Sequence, residues 1–193
     1  EWVSGWVRWH SVAAGKARHW RAPSLNEQGA LISASGEVAQ GTFIPGLYGN
    51  GGPPPDNRDH VEVWRFEDDG SLIYDWEAKS YTISLGGKTV KLVHFSPAHT
   101  SADTIVYFPD LKVVAMGDEL NAANPNIDYA GGGDLGGFIN SLDQTMKLDW
   151  DTAIPGHGAE PWTKPQVKVF RDKLSTLRER AKTLVELVEG LLM

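Results

Sequence analysis

From Val61 onward, short apolar or alternating segments are separated by turn residues, which is the pattern of β-strands joined by hairpins. The turns contain "DDG" and "GGK", and the strands carry many β-branched and aromatic residues. Later in the chain the period becomes helical between about Gly133 and Leu148, and another short strand follows. The predicted strands are "VEVWRF", "SLIYDWE", "SYTISL", "TVKLVHF", "TIVYFP", "KVVAMGD" and "DTAI".

A long helix is predicted from about Lys164 to the end of the chain. Its apolar residues alternate at spacings of four and three, as in a heptad repeat. Such a stripe packs either on the sheet of its own domain or on the helix of a second copy, so a homodimer is one option. The stripe consists of Phe170, Leu174, Leu177, Ala181, Leu184, Val188 and Leu191.

The first 60 residues have a different character. Trp2, Trp6, Trp9 and Ala13 recur at helical spacing and predict an amphipathic helix, whereas residues 40–60 are rich in Gly, Pro and Asn and predict a loop or lid. We therefore expect one domain over 1–193. It would comprise a divergent helix and loop (1–60), a β-rich core (61–160) and a C-terminal helix (164–192).

The composition of the chain argues against several classes of function and binding site. The net charge of −7 disfavours nucleic-acid binding, which needs a basic face. Without cysteine there can be no disulfide, thiolate metal site or cysteine nucleophile. No apolar run is long enough to cross a membrane, so no membrane partner is expected. The segment "GGGDLG" has the spacing of a dinucleotide fingerprint, but no strand runs directly into it, so we do not predict a nucleotide site.

Three potential metal ligands follow predicted strands. His99 comes after "TVKLVHF", Asp118 ends "KVVAMGD", and His157 comes after "DTAI" in the loop "PGHG". If those strands are neighbours, the three side chains converge at one edge of the sheet. Imidazole and carboxylate ligands without thiolate suit zinc, iron or manganese.

These motifs resemble the metallo-β-lactamase superfamily. The segment "AHTSADTIVYFPDLKVVAMGDEL" followed by "IPGHG" is similar to the second half of that family, over roughly Val61 to Leu177. The resemblance implies an α/β fold, the metallo-β-lactamase-like αββα sandwich, here incomplete on its N-terminal side. It also implies one or two zinc ions, with His99 binding one metal, His157 the other, and Asp118 bridging them as the catalytic ligand. The implied activity is attack of metal-activated water on an ester, lactone, β-lactam or related bond of a small molecule.

The motif H-x-H-x-D-H of that family is absent from the chain. In "PDNRDH", only Asp59 and His60 match it, and that segment enters a strand instead of a helix. Without the motif, each of two metals would keep one histidine and a share of Asp118, unless a single ion takes all three ligands.

Three hypotheses remain open at this stage. The chain is part of a larger hydrolase whose first metal motif lies elsewhere, or a shortened homologue that binds one metal with altered activity. Alternatively, it is a non-catalytic binding or interaction protein with the long helix as its contact surface. The sequence does not indicate the cellular compartment.

Overall fold

The computed structural model describes residues 3, 5–121 and 125–191. The chain divides into two compact units, Glu1–Asn57 and Arg58–Met193. Overall it is a mixed α/β protein that consists mostly of sheet with two α-helices. No helix of the described residues is long and apolar enough to cross a membrane.

The first unit contains a three-stranded sheet. Strands β1 (Arg8–Trp9), β2 (Gln28–Ile32) and β3 (Thr42–Leu47) lie in the order β1-β3-β2, with β1 parallel and β2 antiparallel to β3. Strand β3 forms inside the stretch predicted to be a loop, because the apolar residues of "TFIPGL" pair with β2 despite the proline and glycine.

The helix predicted near the N-terminus is wrong for the described residues. Trp9 lies in β1 and packs edge-on against Trp20, with ring centroids 5.3 Å apart, while Trp6 is fully exposed. Trp2 lies outside the described residues. Tryptophan favours strands as much as helices, so three tryptophans do not fix the period, and pairing with β3 decides the conformation.

The second unit is built on an eight-stranded sheet in the order β11-β10-β9-β8-β7-β6-β5-β4. Strands β4 to β9 form an antiparallel meander, β10 is parallel to β9, and β11 is antiparallel to β10. The strands are β4 (Val61–Arg65), β5 (Ser71–Asp75), β6 (Ser80–Leu85), β7 (Lys88–Val93), β8 (Ile105–Phe108), β9 (Val113–Ala115), β10 (Thr152–Ile154) and β11 (Trp162–Thr163).

Two helices complete this unit, α1 (Leu135–Lys147) and α2 (Lys164–Leu191). Helix α1 begins where the Asp134 side chain accepts a hydrogen bond of 2.6 Å from the Gly137 amide, a standard N-cap. The core lies between the helices and β8 to β10. Its fully buried members include Ile105, Val114, Met116, Leu120, Phe138, Leu142, Trp150, Ala153 and Val167.

The predicted strands from Val61 to Ile154 and the C-terminal helix are present in the structure. Only the coarser part of the fold prediction, a mixed α/β architecture, is confirmed. The described part of this unit holds one sheet, not the two central sheets of an αββα sandwich. The chain forms two compact units, and the single domain expected over 1–193 stays a prediction.

Candidate metal centre

His99, Asp118 and His157 follow three strands that run in the same direction, so all three residues lie at the edge formed by the carboxyl ends of these strands. Strands β9 and β10 are adjacent and parallel, and β7 runs in the same direction because two antiparallel pairings separate it from β9. The segments after these three strands carry His99, Asp118 and His157, respectively. The carboxyl ends of all three strands therefore lie at the same edge, as the sequence predicted.

The structure brings the three side chains together around Asp118. Oδ1 of Asp118 lies 3.0 Å from Nε2 of His157, and Oδ2 lies 3.5 Å from Nε2 of His99. The His99 side chain is 13% exposed, that of Asp118 39% and that of His157 66%. The cluster thus opens to solvent on the His157 side.

Asn126 fixes the tautomer of His99. The Nδ1 atom of His99 lies 2.9 Å from the backbone oxygen of Asn126. A carbonyl oxygen only accepts hydrogen bonds, so we assign the proton to Nδ1, which leaves Nε2 facing Asp118. Histidines that bind metals commonly donate their other ring N–H in this way.

The loop that carries His157 depends on Gly156. Its amide donates to the backbone oxygens of Gly117, at 2.8 Å, and Leu120, at 3.1 Å. A Cβ at this position would lie 2.7 Å from Oδ1 of Asp118 and 2.5 Å from the carbonyl carbon of Gly117. Only glycine therefore allows the loop to approach Asp118 this closely.

The glycine-rich segment after residue 128 supports the loop of His99. The Asp128 amide donates to the His99 oxygen at 2.8 Å, and the Asp134 amide donates to the Ala98 oxygen at 3.1 Å. A Cβ on Gly133 would lie only 2.2 Å from the His99 oxygen. This packing role could not be inferred from "GGGDLG" alone.

Glu119 lies on the core side of the same turn. It is completely buried, whereas its neighbour Asp118 is partly exposed. Burial raises the pKa of the Glu119 carboxyl to about 7, and the Ser141 hydroxyl nearby opposes this rise. The turn Gly117–Glu119 therefore points one carboxyl towards the cluster and the other into the core.

The other histidines of this unit, His60 and His94, do not join this cluster. His60 lies 3.1 Å from Asp59 and near Asp75, at the start of β4. His94 lies 2.8 Å from the backbone oxygen of Asp103 through its Nδ1. His10 and His19 belong to the first unit.

The three side chains form two imidazole–carboxylate pairs, and each pair can be compared with the ligand spacing of a zinc site. Two ligands at about 2.0–2.2 Å from a tetrahedral zinc ion lie roughly 3.3–3.5 Å apart. The 3.5 Å between Asp118 and His99 matches this spacing, whereas the 3.0 Å between Asp118 and His157 is an ordinary hydrogen-bond distance. The spacing therefore suits a metal between His99 and Asp118, and His157 would have to move slightly away from Asp118 to admit one.

The same residues do not surround one point. The described part of the chain holds no group of three or more His, Asp or Glu side chains that could bind a single ion. Each oxygen of Asp118 faces a different imidazole, as in a carboxylate that bridges two ions. Each ion would then have two protein ligands, one fewer than a catalytic zinc generally has. Metal binding by His99, Asp118 and His157 stays a prediction.

Comparison with known proteins finds a family model for the first quarter of the chain. Residues 1–48 match a family model described as a type VI secretion system/phage-baseplate injector OB domain. The spike protein of Escherichia phage P2 is 33% identical over 120 residues, covering 62% of this chain and 56% of that protein. The chain thus spans about half the length of this relative.

A second relative is the 2,4-dinitroanisole O-demethylase subunit alpha of Nocardioides sp. (strain JS1661). It is 26% identical over 97 residues, which are 49% of this chain and 29% of that protein. The chain therefore spans less than a third of its length.

Partly similar solved structures are metallo-β-lactamases. The enzyme from Pontibacter korlensis aligns with a TM-score of 0.43 and 19% identity, over 49% of this chain and 45% of its own. The DIM-1 metallo-β-lactamase aligns with a TM-score of 0.40 and 18% identity, over 46% of this chain and 42% of its own. The family model matched by residues 1–48 describes a phage-baseplate domain instead, and the 120 residues similar to the P2 spike protein are more than the first unit contains.

Proposed function

We propose that the unit Arg58–Met193 binds zinc, or iron or manganese in its place, and hydrolyses an ester, lactone, β-lactam or related bond of a small molecule. The observation that carries this proposal is the Asp118 carboxylate held between the Nε2 atoms of His99 and His157. We also propose that the unit corresponds to one half of an αββα sandwich, with α1 and α2 as one helical layer.

The residues of the chain would hold and orient the site as follows. His99 is fixed by the Asn126 carbonyl, and Asp118 presents one oxygen to each imidazole. His157 is mostly exposed, so a small substrate would enter from its side. A zinc ion held there would act as a Lewis acid that activates water or polarises a substrate carbonyl.

Zinc binding to the purified chain tests the first step. Isothermal titration should detect binding that His99→Ala and Asp118→Ala each weaken at least tenfold. His60→Ala is the matched control, because that histidine also pairs with carboxylates but lies outside the cluster. Unchanged binding in both cluster variants would contradict the site, and absence of zinc binding and of a zinc-dependent rise in melting temperature would contradict the metal.

Hydrolysis is tested separately with a chromogenic ester, a lactone and a β-lactam. Turnover that rises with zinc and is lost in Asp118→Ala would support a hydrolase. Zinc binding without turnover of any of them would favour the alternative, a non-catalytic binding protein with this fold.

A structural role for the first unit is a second candidate. The match of residues 1–48 to the injector OB domain supports a role of this unit in a phage-type injector. The similarity to the P2 spike protein agrees with that role but extends over more residues than this unit contains. P2 baseplates that lack their own spike protein should take up the chain, as measured by co-sedimentation.

A variant in the sheet of this unit sharpens that test. A Cβ on Gly29 would lie 2.3 Å from the Ile44 oxygen, so Gly29→Val should disrupt β2–β3 and abolish co-sedimentation. Gly52→Ala is the control, because no atom lies within 4 Å of its Cβ position. Failure of the unmodified chain to co-sediment would contradict this second function.

A further inference from the structure

The buried residues of helix α2 all lie in its first half. Val167, Phe170 and Leu174 are buried in the core. From Leu177 to Leu191 the described side chains are exposed, although the heptad pattern continues without a break. The same stripe therefore fills the core in its first part and faces solvent in its second.

The exposed part of the stripe is unusually apolar. We call it the distal stripe, and it includes both heptad positions and flanking positions on the same side of the helix. Its large members are between 55% and 85% exposed. A surface helix normally presents polar residues to water, so a contiguous apolar face of this size indicates a contact surface. The distal stripe consists of Leu177, Ala181, Leu184, Val185, Leu187, Val188 and Leu191.

This segment gains little stability as an isolated helix. Helices shorter than about 12–15 residues are marginal in water, and most helical stability in proteins comes from packing of an apolar face. Gly190 weakens the last turn further, by about 1 kcal/mol relative to alanine. Coverage of the distal stripe would stabilise the helix as well as bury its leucines and valines.

We propose that the distal stripe pairs with the same stripe of a second copy of this chain, with the two helices antiparallel. Six leucine and valine side chains would each bury on the order of 100 Å², which gives roughly 600 Å² per copy, at the lower end of the range for stable interfaces. A four–three repeat is the pattern by which helices interdigitate with one another.

The charges along α2 set the antiparallel orientation. In the first part of the exposed segment Arg178, Arg180 and Lys182 outnumber Glu179, which leaves a net positive charge. Glu186 and Glu189 make the last part acidic. An antiparallel pair places the acidic part of each helix beside the basic part of the other. A parallel pair places like charges together, which is unfavourable.

Sedimentation equilibrium of the intact chain, from low to several hundred micromolar, tests the pairing. The unmodified chain should be a dimer that Leu184→Glu and Val188→Glu each convert to a monomer. Thr183→Glu is the matched control, because Thr183 lies on the same helix outside the stripe, and it should remain dimeric. A monomer throughout the range, or a dimer unaffected by Leu184→Glu and Val188→Glu, would overturn the proposal.

The absence of natural cysteine allows the orientation to be tested by cross-linking. In an antiparallel heptad pair the layer of Leu177 faces that of Val188. A mixture of Leu177→Cys and Val188→Cys chains should form a disulfide-linked dimer, whereas each variant alone should not. Efficient cross-linking of each variant alone would overturn the antiparallel arrangement. Neither experiment depends on metal binding.

Discussion

Gly133→Ala should disturb the candidate metal centre from outside it. A Cβ at this position would lie 2.2 Å from the oxygen of His99, 2.9 Å from its carbonyl carbon and 3.0 Å from the Ala98 oxygen. All three atoms belong to the backbone, so no side chain can rotate away to make room. The segment that carries His99 must move, or the glycine-rich segment must.

The magnitude follows from these distances. Ordinary contact begins at 3.4 Å, so the two segments must separate by about 1 Å. That movement strains the hydrogen bonds from Asp128 to the His99 oxygen and from Asp134 to the Ala98 oxygen. Overpacking costs about 1–3 kcal/mol and each weakened hydrogen bond up to about 1 kcal/mol, so we expect a loss of about 2–3 kcal/mol in unfolding free energy.

The same movement shifts His99 relative to Asp118 and should weaken zinc binding at least tenfold. The assay is urea unfolding combined with zinc titration of the folded protein. Gly136→Ala is the control on the same segment. Its Cβ would meet only the ends of Asp134 and Arg178 side chains, at 3.2 and 3.3 Å, and alanine favours the helix. Equal stability and equal zinc affinity for Gly133→Ala and the unmodified chain would refute this reasoning.

Three further predictions concern stability. Phe138→Ala removes a completely buried ring and should lower the unfolding free energy by about 3–5 kcal/mol in urea titration. Tyr107→Phe removes the hydrogen bond from the Tyr107 hydroxyl to the Asp149 oxygen, at 2.8 Å, and should cost about 1 kcal/mol in the same assay. Hydrogen bonding from Arg21 holds the pKa of the Glu27 carboxyl below its usual value of 4.5. The ion pair therefore stabilises the folded protein above pH 4.5, and this contribution is lost as the pH falls through the lowered pKa. Glu27→Gln should therefore lower the melting temperature at pH 7 and leave it unchanged in strong acid. An equal decrease at both pH values would contradict the ion pair.

Local sequence patterns were sufficient to predict most of the strands and helices of the second unit. Alternating residues separated by "DDG" and "GGK" gave the meander, because hairpin pairing is local and turn residues fix its register. Helix α2 was predicted by a long uninterrupted period. The convergence of His99, Asp118 and His157 could be expected because ligands that follow parallel strand directions share one edge.

The parts that sequence reasoning missed depend on distant pairing. Trp9 lies in a strand because β1 pairs with β3, more than thirty residues away in sequence. The carbonyl of Asn126 and the close approach of Gly133 are backbone features that leave no residue-type signal. The match of residues 1–48 to the injector OB domain model likewise rests on no chemical motif that could be recognised by spacing.

The most direct measurement is an anomalous-scattering map at the zinc edge from crystals of the chain grown with zinc. Our account predicts density beside Asp118, between its carboxylate and the Nε2 atoms of His99 and His157, and loss of that density in Asp118→Ala. Zinc bound elsewhere, for example near His60, or no density beside Asp118 in the unmodified protein, would contradict the metal centre.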